Sequence, residues 1–133
     1  NWEVRVLDNA DEIAAVTKIF AEANPDQAAR PGFVNMFRNA PTVAFVAHKA
    51  DAGMSQIDCG LLGENMMLAA QSLGIGTCCL GGPVRFLTGS CPDFLKKLDF
   101  SEGYELLFAI AFGYPDESPA AKPRDESKVR FVE

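Results

Sequence analysis

The sequence is short of the side chains that carry out chemistry by themselves. It has one histidine, His48, so a metal site or a base-activated nucleophile would have to rest on that residue, and no matching partner stands near it. Its position just after a short apolar run reads as a surface site at a strand end. The four cysteines, Cys59, Cys78, Cys79 and Cys91, follow neither a metal-ligand spacing nor a small secreted disulfide pattern, which points to a reducing, cytoplasmic setting. No apolar run reaches the roughly 18 residues that a membrane span requires. Basic residues are in the minority, 12 against 18 acidic for a net charge of −6. That balance argues against a general binder of nucleic acid or anionic membrane, both of which demand a basic field, so any phosphate has to be met locally. Repeats and low-complexity segments are missing too. The opening Asn1-Trp2-Glu3 carries no methionine, basic leader or signal core, and reads as a segment beginning in mid-fold.

What is present is an ordinary globular balance, 48% hydrophobic and 23% charged over 133 residues, enough for one domain that buries about two-thirds of its unfolded surface. Its organising stretch runs from Ser55 to Pro83. Ser55 with Asp58 three residues on has the form of a capping box, which predicts a helix beginning near Gln56. At 100° per residue, Leu62, Met66, Met67, Ala69, Ala70 and Leu73 share a broad face, and Ile57, Leu61 and Leu68 form a second, narrower stripe. Two apolar faces need two partners: either a subunit interface or burial on both sides within one domain. Gly74 is placed to end the helix in the left-handed conformation. Gly76, Gly81 and Gly82 then predict a glycine loop whose uncovered N–H groups can lie against a planar or anionic ligand. Cys59 reads as a small buried apolar residue inside the helix, whereas Cys78 and Cys79 fall in the loop, where redox chemistry is conceivable.

Along the rest of the chain, Trp2, Val4 and Val6 alternate with Glu3, Arg5 and Leu7 as a half-buried strand ending at Asp8. Asn9 with Glu12 has the spacing of a second capping box, ahead of a helix with Ile13, Val16, Ile19 and Phe20 on one face, closing at Asn24-Pro25. Residues 25–32 read as loop and 33–38 as one short helical turn. Thr42 to Ala47 is apolar on both faces, as a central strand would be, and a polar connection follows from His48 to Met54. Val84 to Phe86 and Pro92 to Leu98 suggest a short helical pair around Thr88-Gly89-Ser90. Tyr104 to Phe112 is a second strand buried on both faces, and the residues to Pro123 read as an extended loop. Lys128 to Val132 alternates as a last strand. Helices and strands intermix without a strict βαβ rhythm, which predicts an α+β fold: a three-layer α/β/α sandwich with a mainly antiparallel sheet.

Two groups of residues carry a resemblance. Asp58-x-Gly60, Glu64-Asn65-Met66-Met67-Leu68-Ala69-Ala70 and Ser72-Leu73-Gly74-Ile75-Gly76-Thr77 are similar to the central helix and following loop of the nitroreductase family, the FMN-dependent NAD(P)H oxidoreductases. Ala111-Phe112-Gly113-Tyr114-Pro115, followed by Lys122-Pro123-Arg124, resembles that family's last core strand, its Gly-Tyr-Pro turn and its basic pair. The order and separation of the motifs are more specific than any one of them, and the resemblance spans nearly the whole chain. It implies that residues 1–133 form a single nitroreductase-like domain, roughly the C-terminal two-thirds of the family's, in a protein that carries a further N-terminal region.

The resemblance also implies a site. Leu80, Gly81 and Gly82 would meet the flavin N5 and O4 region through backbone N–H, with Cys78 and Cys79 just behind, and Lys122 and Arg124 would hold the FMN phosphate. Spaced two apart, they can converge on one anion in an extended segment; from the residues alone, a solvated charged tail with Lys128 and Arg130 is the other reading. The implied partners are NAD(P)H and a small nitroaromatic or quinone-like electron acceptor, together with a second copy of the chain in a homodimer that exchanges C-terminal strands. No single residue is assigned a catalytic role, because a flavin carries its own redox chemistry. Three other readings stay open: a nucleotide-binding module without turnover, a zinc or thiol site built from the cysteines, and a flavin enzyme of the same fold acting on another substrate, such as a dehalogenase.

Overall fold

Four strands form one sheet in the computed structural model, which describes residues 1–132. In chain order they are β1 (Trp2–Leu7), β2 (Thr42–Lys49), β3 (Gly76–Leu80) and β4 (Tyr104–Gly113). Their spatial order is β1-β2-β4-β3 and all three pairings are antiparallel. The two runs expected to be buried on both faces, β2 and β4, are the two central strands, and β2 is two residues longer than expected. Register follows from side-chain alternation. Leu7 pairs with Val43 and Val43 with Ala111, whereas Val4 pairs with Val46 and Val46 with Phe108. Between Val46 and Ala47 the register shifts by one residue against β4, which brings Leu106 opposite Ala47.

The helices are α1 (Ala10–Ala23), α2 (Pro25–Ala28), α3 (Ser55–Ser72), α4 (Gly82–Ser90) and α5 (Pro92–Leu98). On one side of the sheet, Ile13 and Val16 of α1, Leu87 of α4 and Phe94 and Leu98 of α5 close over Val43, Phe45, Ala109 and Ala111 in a single core. Phe45 packs edge-on against Phe37 and Phe94, with ring centres 5.8 and 5.6 Å away. Helix α3 lies on the other side, making the third layer of the expected sandwich. The fully buried residues of α3 are small, Ser55, Cys59, Gly63 and Ala70; of the expected broad face Ala70 is buried and Leu62, Met66 and Met67 are half-buried. A Cβ on Gly63 would stand 2.9 Å from Cζ of Phe108, so the helix backbone rests directly on the tip of the Phe108 ring that rises from the sheet. Leu73 and Ala69, expected on the buried face, are exposed. The second stripe is uncovered within the chain: Ile57, Leu61 and Leu68 keep 54%, 62% and 59% of their surface.

Several local expectations are corrected. Ser55 does not cap α3. Met54 occupies the cap position, and the Ser55 hydroxyl donates instead to the carbonyl of Lys49 at 2.8 Å. His48 is not a surface residue but 7% exposed, with Nδ1 3.0 Å from Ser55 Oγ. Because the Ser55 proton is directed to Lys49, His48 Nδ1 is the donor in that contact. Asn9 does cap α1, accepting from the N–H groups of Asp11 and Glu12. The Glu12 carboxylate completes no capping box, since it pairs with Lys97 of α5 at 2.7 Å. Ile19 is exposed, and Thr17 takes the buried place beside Val16. Residues 25–28 form the short helix α2, and residues 33–38 form an irregular loop pinned by Asn39, which accepts from Val34 and Asn35 and donates to Gly32. Helix α4 runs through Thr88-Gly89-Ser90, and the break falls at Cys91. The expected last strand, Lys128 to Val132, forms no ladder among the described residues: Glu126–Lys128 is a 3-10 turn and Val129 beyond it is extended.

Candidate functional site

Helix α3 ends in a Schellman arrangement, in which Gly74 N–H donates to Gln71 O and Ile75 N–H to Ala70 O, with Gly74 at φ +74° as expected. The expected glycine loop does not follow. Residues 76–80 enter the sheet as β3, hydrogen-bonded to β4 from Gly76 opposite Gly113 to Leu80 opposite Ala109. Local composition suggested a loop, but one free edge of β4 was available for pairing, and an unpaired strand edge is costly to leave. The backbone donors sit one step further on, at the β3–α4 junction. Gly81 is the cap residue of α4 and contributes no side-chain acceptor, Pro83 follows in the first turn, and no acidic residue stands there. A Cβ at Gly81 or Gly82 would meet nothing within 4 Å. The junction is therefore an open shelf of peptide groups at the positive end of a helix dipole, able to take a flat or anionic group.

Leu80 anchors that shelf in the core, at 4% exposure. Alternation along β3 sends Cys78 against the main core and Cys79 to the α3 side, where it is exposed. Desolvation within the strand raises the Cys79 thiol above its ordinary value; the neighbouring Cys78 adds to this and a backbone hydrogen bond from Leu80 opposes it. A thiol held protonated is a poor nucleophile, which weakens the redox reading of Cys79. Burial also raises the thiols of Cys59 and Cys91. All four cysteines are free. Among the described residues, no three His, Cys, Asp or Glu side chains gather as a metal site would need.

Lys122 and Arg124 lie on the exposed segment that follows β4. Neither forms an ion pair among the described residues, and Arg124 Nη1 reaches only the Lys122 carbonyl, at 3.5 Å. The fold thus joins Cys79, Leu80, Gly81 and Gly82 in one continuous edge, whereas the basic pair stays unengaged, with no hydrogen bond to that edge. A cleft of about 840 Å³ opens elsewhere, where β3 has ended and β4 begins, between Thr88 of α4, Leu95 of α5 and Tyr104. It shares no residue with the β3–α4 shelf. Sequence reasoning missed the part that His48 plays. Its signal was a histidine next to the last residue of a strand buried through its middle, with a serine seven residues on to receive it.

Comparison with known proteins bears on the same elements. The model of the nitroreductase family matches residues 1–114. An NADPH-flavin oxidoreductase of Vibrio harveyi is 35% identical over 68 residues, 51% of this chain and 27% of that protein. An FMN reductase (NADPH) of Bacillus subtilis is 32% identical over 71 residues, 53% of this chain and 27% of its own length. The match thus spans about a quarter of the length of either relative. A crystal structure of a nitroreductase with bound FMN from Desulfitobacterium hafniense superposes with a TM-score of 0.79 at 26% identity, covering 99% of this chain and 76% of that one.

Proposed function

Because the chain belongs to the nitroreductase family, we propose that the protein carrying it is an FMN-dependent oxidoreductase that takes hydride from NADH or NADPH and reduces a small nitroaromatic or quinone-like acceptor. The family match over residues 1–114 carries this reading. We read residues 1–133 as the C-terminal part of one such domain, working in the cytoplasm; no helix among the described residues is long and apolar enough to cross a membrane.

FMN, when bound, supplies the hydride chemistry. The chain supplies place and polarity. Gly81 and Gly82 offer peptide N–H groups that no side chain obstructs, suited to the polar edge of a flat ring system. Leu80 and Cys79 back that shelf and hold it to the sheet. Lys122 and Arg124, unpaired among the described residues, are suited to the phosphate, where a guanidinium and an ammonium can each donate to its oxygens. The surface of α3 supports a homodimer: Ile57, Leu61 and Leu68 form an uncovered apolar stripe, and Val129, Phe131 and Val132 are apolar, exposed and unpaired within the chain. A second copy covering these surfaces would give each its missing partner.

The test is made on the whole protein. FMN added to the purified protein should bind and bleach on addition of NADH or NADPH. Arg124→Ala should weaken FMN binding by roughly one to two decades, the loss of a charge-assisted contact of about 1.5–3 kcal/mol, with turnover at saturating FMN almost unchanged. A protein that binds no FMN refutes the reading. Leu61→Asp should dissociate the dimer in sedimentation; a folded variant that stays dimeric would remove α3 from the interface.

A further inference from the structure

The end of the sheet where β3 begins and β4 finishes is crowded with two glycines and two prolines. Gly76 stands opposite Gly113 in the ladder. A Cβ on Gly113 would lie 3.1 Å from Cδ of Pro41, the residue before β2. A Cβ on Gly76 would lie 3.2 Å from Cβ of Pro115, 3.3 Å from the Gly113 carbonyl oxygen and 3.4 Å from Cα of Pro115. These are backbone and ring atoms, which cannot swing aside as the end of a long side chain can. Gly76 is therefore the place where the chain leaving β4 comes down over β3. Without a side chain there, Pro115 crosses the start of β3 two residues after the sheet ends. Tyr114, between them, turns fully outward at 91% exposure. After this crossing, no regular element directs the chain until the turn at Glu126. The segment that carries Lys122 and Arg124 thus starts from Pro115 over the first residue of β3, the strand whose other end is the Leu80–Gly82 shelf.

We propose that Gly76 is a positioning residue: its empty Cβ site seats Pro115 across β3 and so delivers the segment carrying Lys122 and Arg124 to the side of the sheet on which the β3–α4 shelf lies. The consequence for a bound phosphate rests on the proposed flavin function; the seating of Pro115 does not. Neither glycine has a positive φ, so the requirement at Gly76 is for space and not for backbone conformation, and its effect should grade with side-chain size.

The experiment uses the whole protein with Gly76→Ala and Gly76→Val, and Gly89→Ala as a control at a helical glycine with nothing within 4 Å. Two readouts are taken. The first needs no flavin: 3-fluorotyrosine labelling and fluorine NMR, with the Tyr114 line assigned by Tyr114→Phe. The Tyr114 line should move in both Gly76 variants, further with Val than with Ala, while the Tyr104 line and the control spectrum hold. The second is FMN affinity, which should fall about tenfold in Gly76→Ala with turnover at saturating FMN retained, the pattern of a mispositioned phosphate contact. If Gly76→Val fails to fold, the Ala variant, which needs only a few tenths of an ångström, decides the question. A Tyr114 line that stays in place overturns the seating. A moved line with unchanged FMN affinity overturns the positioning role. A wild-type protein that binds no FMN refutes the flavin reading instead, and the fluorine spectra still decide whether Gly76 seats Pro115.

Discussion

Replacing Gly63 with alanine tests how α3 sits on the sheet. A Gly→Ala change inside a helix ordinarily stabilises by up to about 1 kcal/mol, because alanine loses less backbone entropy on folding. At Gly63 the new methyl would lie 2.9 and 3.0 Å from two ring carbons of Phe108 and 3.6 Å from Cδ1 of Ile110. Overpacking of that degree costs about 1–3 kcal/mol, since the ring or the helix has to shift. The two effects oppose each other, and the steric one is the larger. Gly63→Ala should therefore be neutral to about 2 kcal/mol destabilised, whereas Gly89→Ala, in open space on α4, should be stabilised by up to about 1 kcal/mol. The assay is urea unfolding followed by far-ultraviolet circular dichroism, with midpoints compared at equal slope. For a chain of this size each kcal/mol also moves the thermal midpoint by about 4 °C. Phe108→Leu in the Gly63→Ala background should recover part of the loss, because it removes the ring carbons that the methyl meets. Equal shifts in Gly63→Ala and Gly89→Ala, or no recovery in the double variant, would refute direct seating of the helix on Phe108.

Three further outcomes follow from local contacts. Ser55→Ala removes both the acceptor of His48 Nδ1 and the donor to Lys49 O and should destabilise by about 1–3 kcal/mol in denaturant, the cost of buried polar groups left unpaired; an unchanged midpoint would contradict it. Cys59 and Cys91 are buried, with thiols raised by burial, so peptide mass spectrometry after iodoacetamide treatment should find both unmodified in the native protein and modified after unfolding. Glu3 lies below the ordinary 4.5, held there by hydrogen bonds from Ser101, first the side chain and then the backbone N–H, with Arg5 adding to them against desolvation. A lowered carboxylate contributes stability above its unfolded pKa and loses it as pH falls through its folded one. Glu3→Gln should accordingly be less stable than wild type at pH 7, and the gap should close once the pH is well below 4.5, as read from denaturation midpoints at the two pH values.

The sequence by itself determined the elements whose evidence is local. The alternating run at Trp2–Leu7, the Asn9 cap, the Gly74 terminator and the apolar runs at Thr42 and Tyr104 each depend on a few neighbouring residues, and each appears where those residues stand. The motifs around α3 and after β4 were legible as a family pattern for the same reason. Tertiary structure decided what depends on distant neighbours. Gly76 to Leu80 reads locally as loop, yet becomes a strand because β4 presents it an open edge. Ser55 reads as a cap, yet its hydroxyl goes to Lys49 and His48 because β2 ends beside the first turn of α3. Which face of α3 is buried could not be ranked by hydrophobicity, since its buried positions are its small residues: Phe108 and Ile110 rise from the sheet to meet Gly63 and leave no room for a helix side chain there. Lys128 to Val132 alternates like a strand, and Val129 is extended, but the segment finds no ladder partner among the described residues of this one chain. Local propensity thus set where segments begin and end, and the inventory of unpaired backbone edges and available space set what they became.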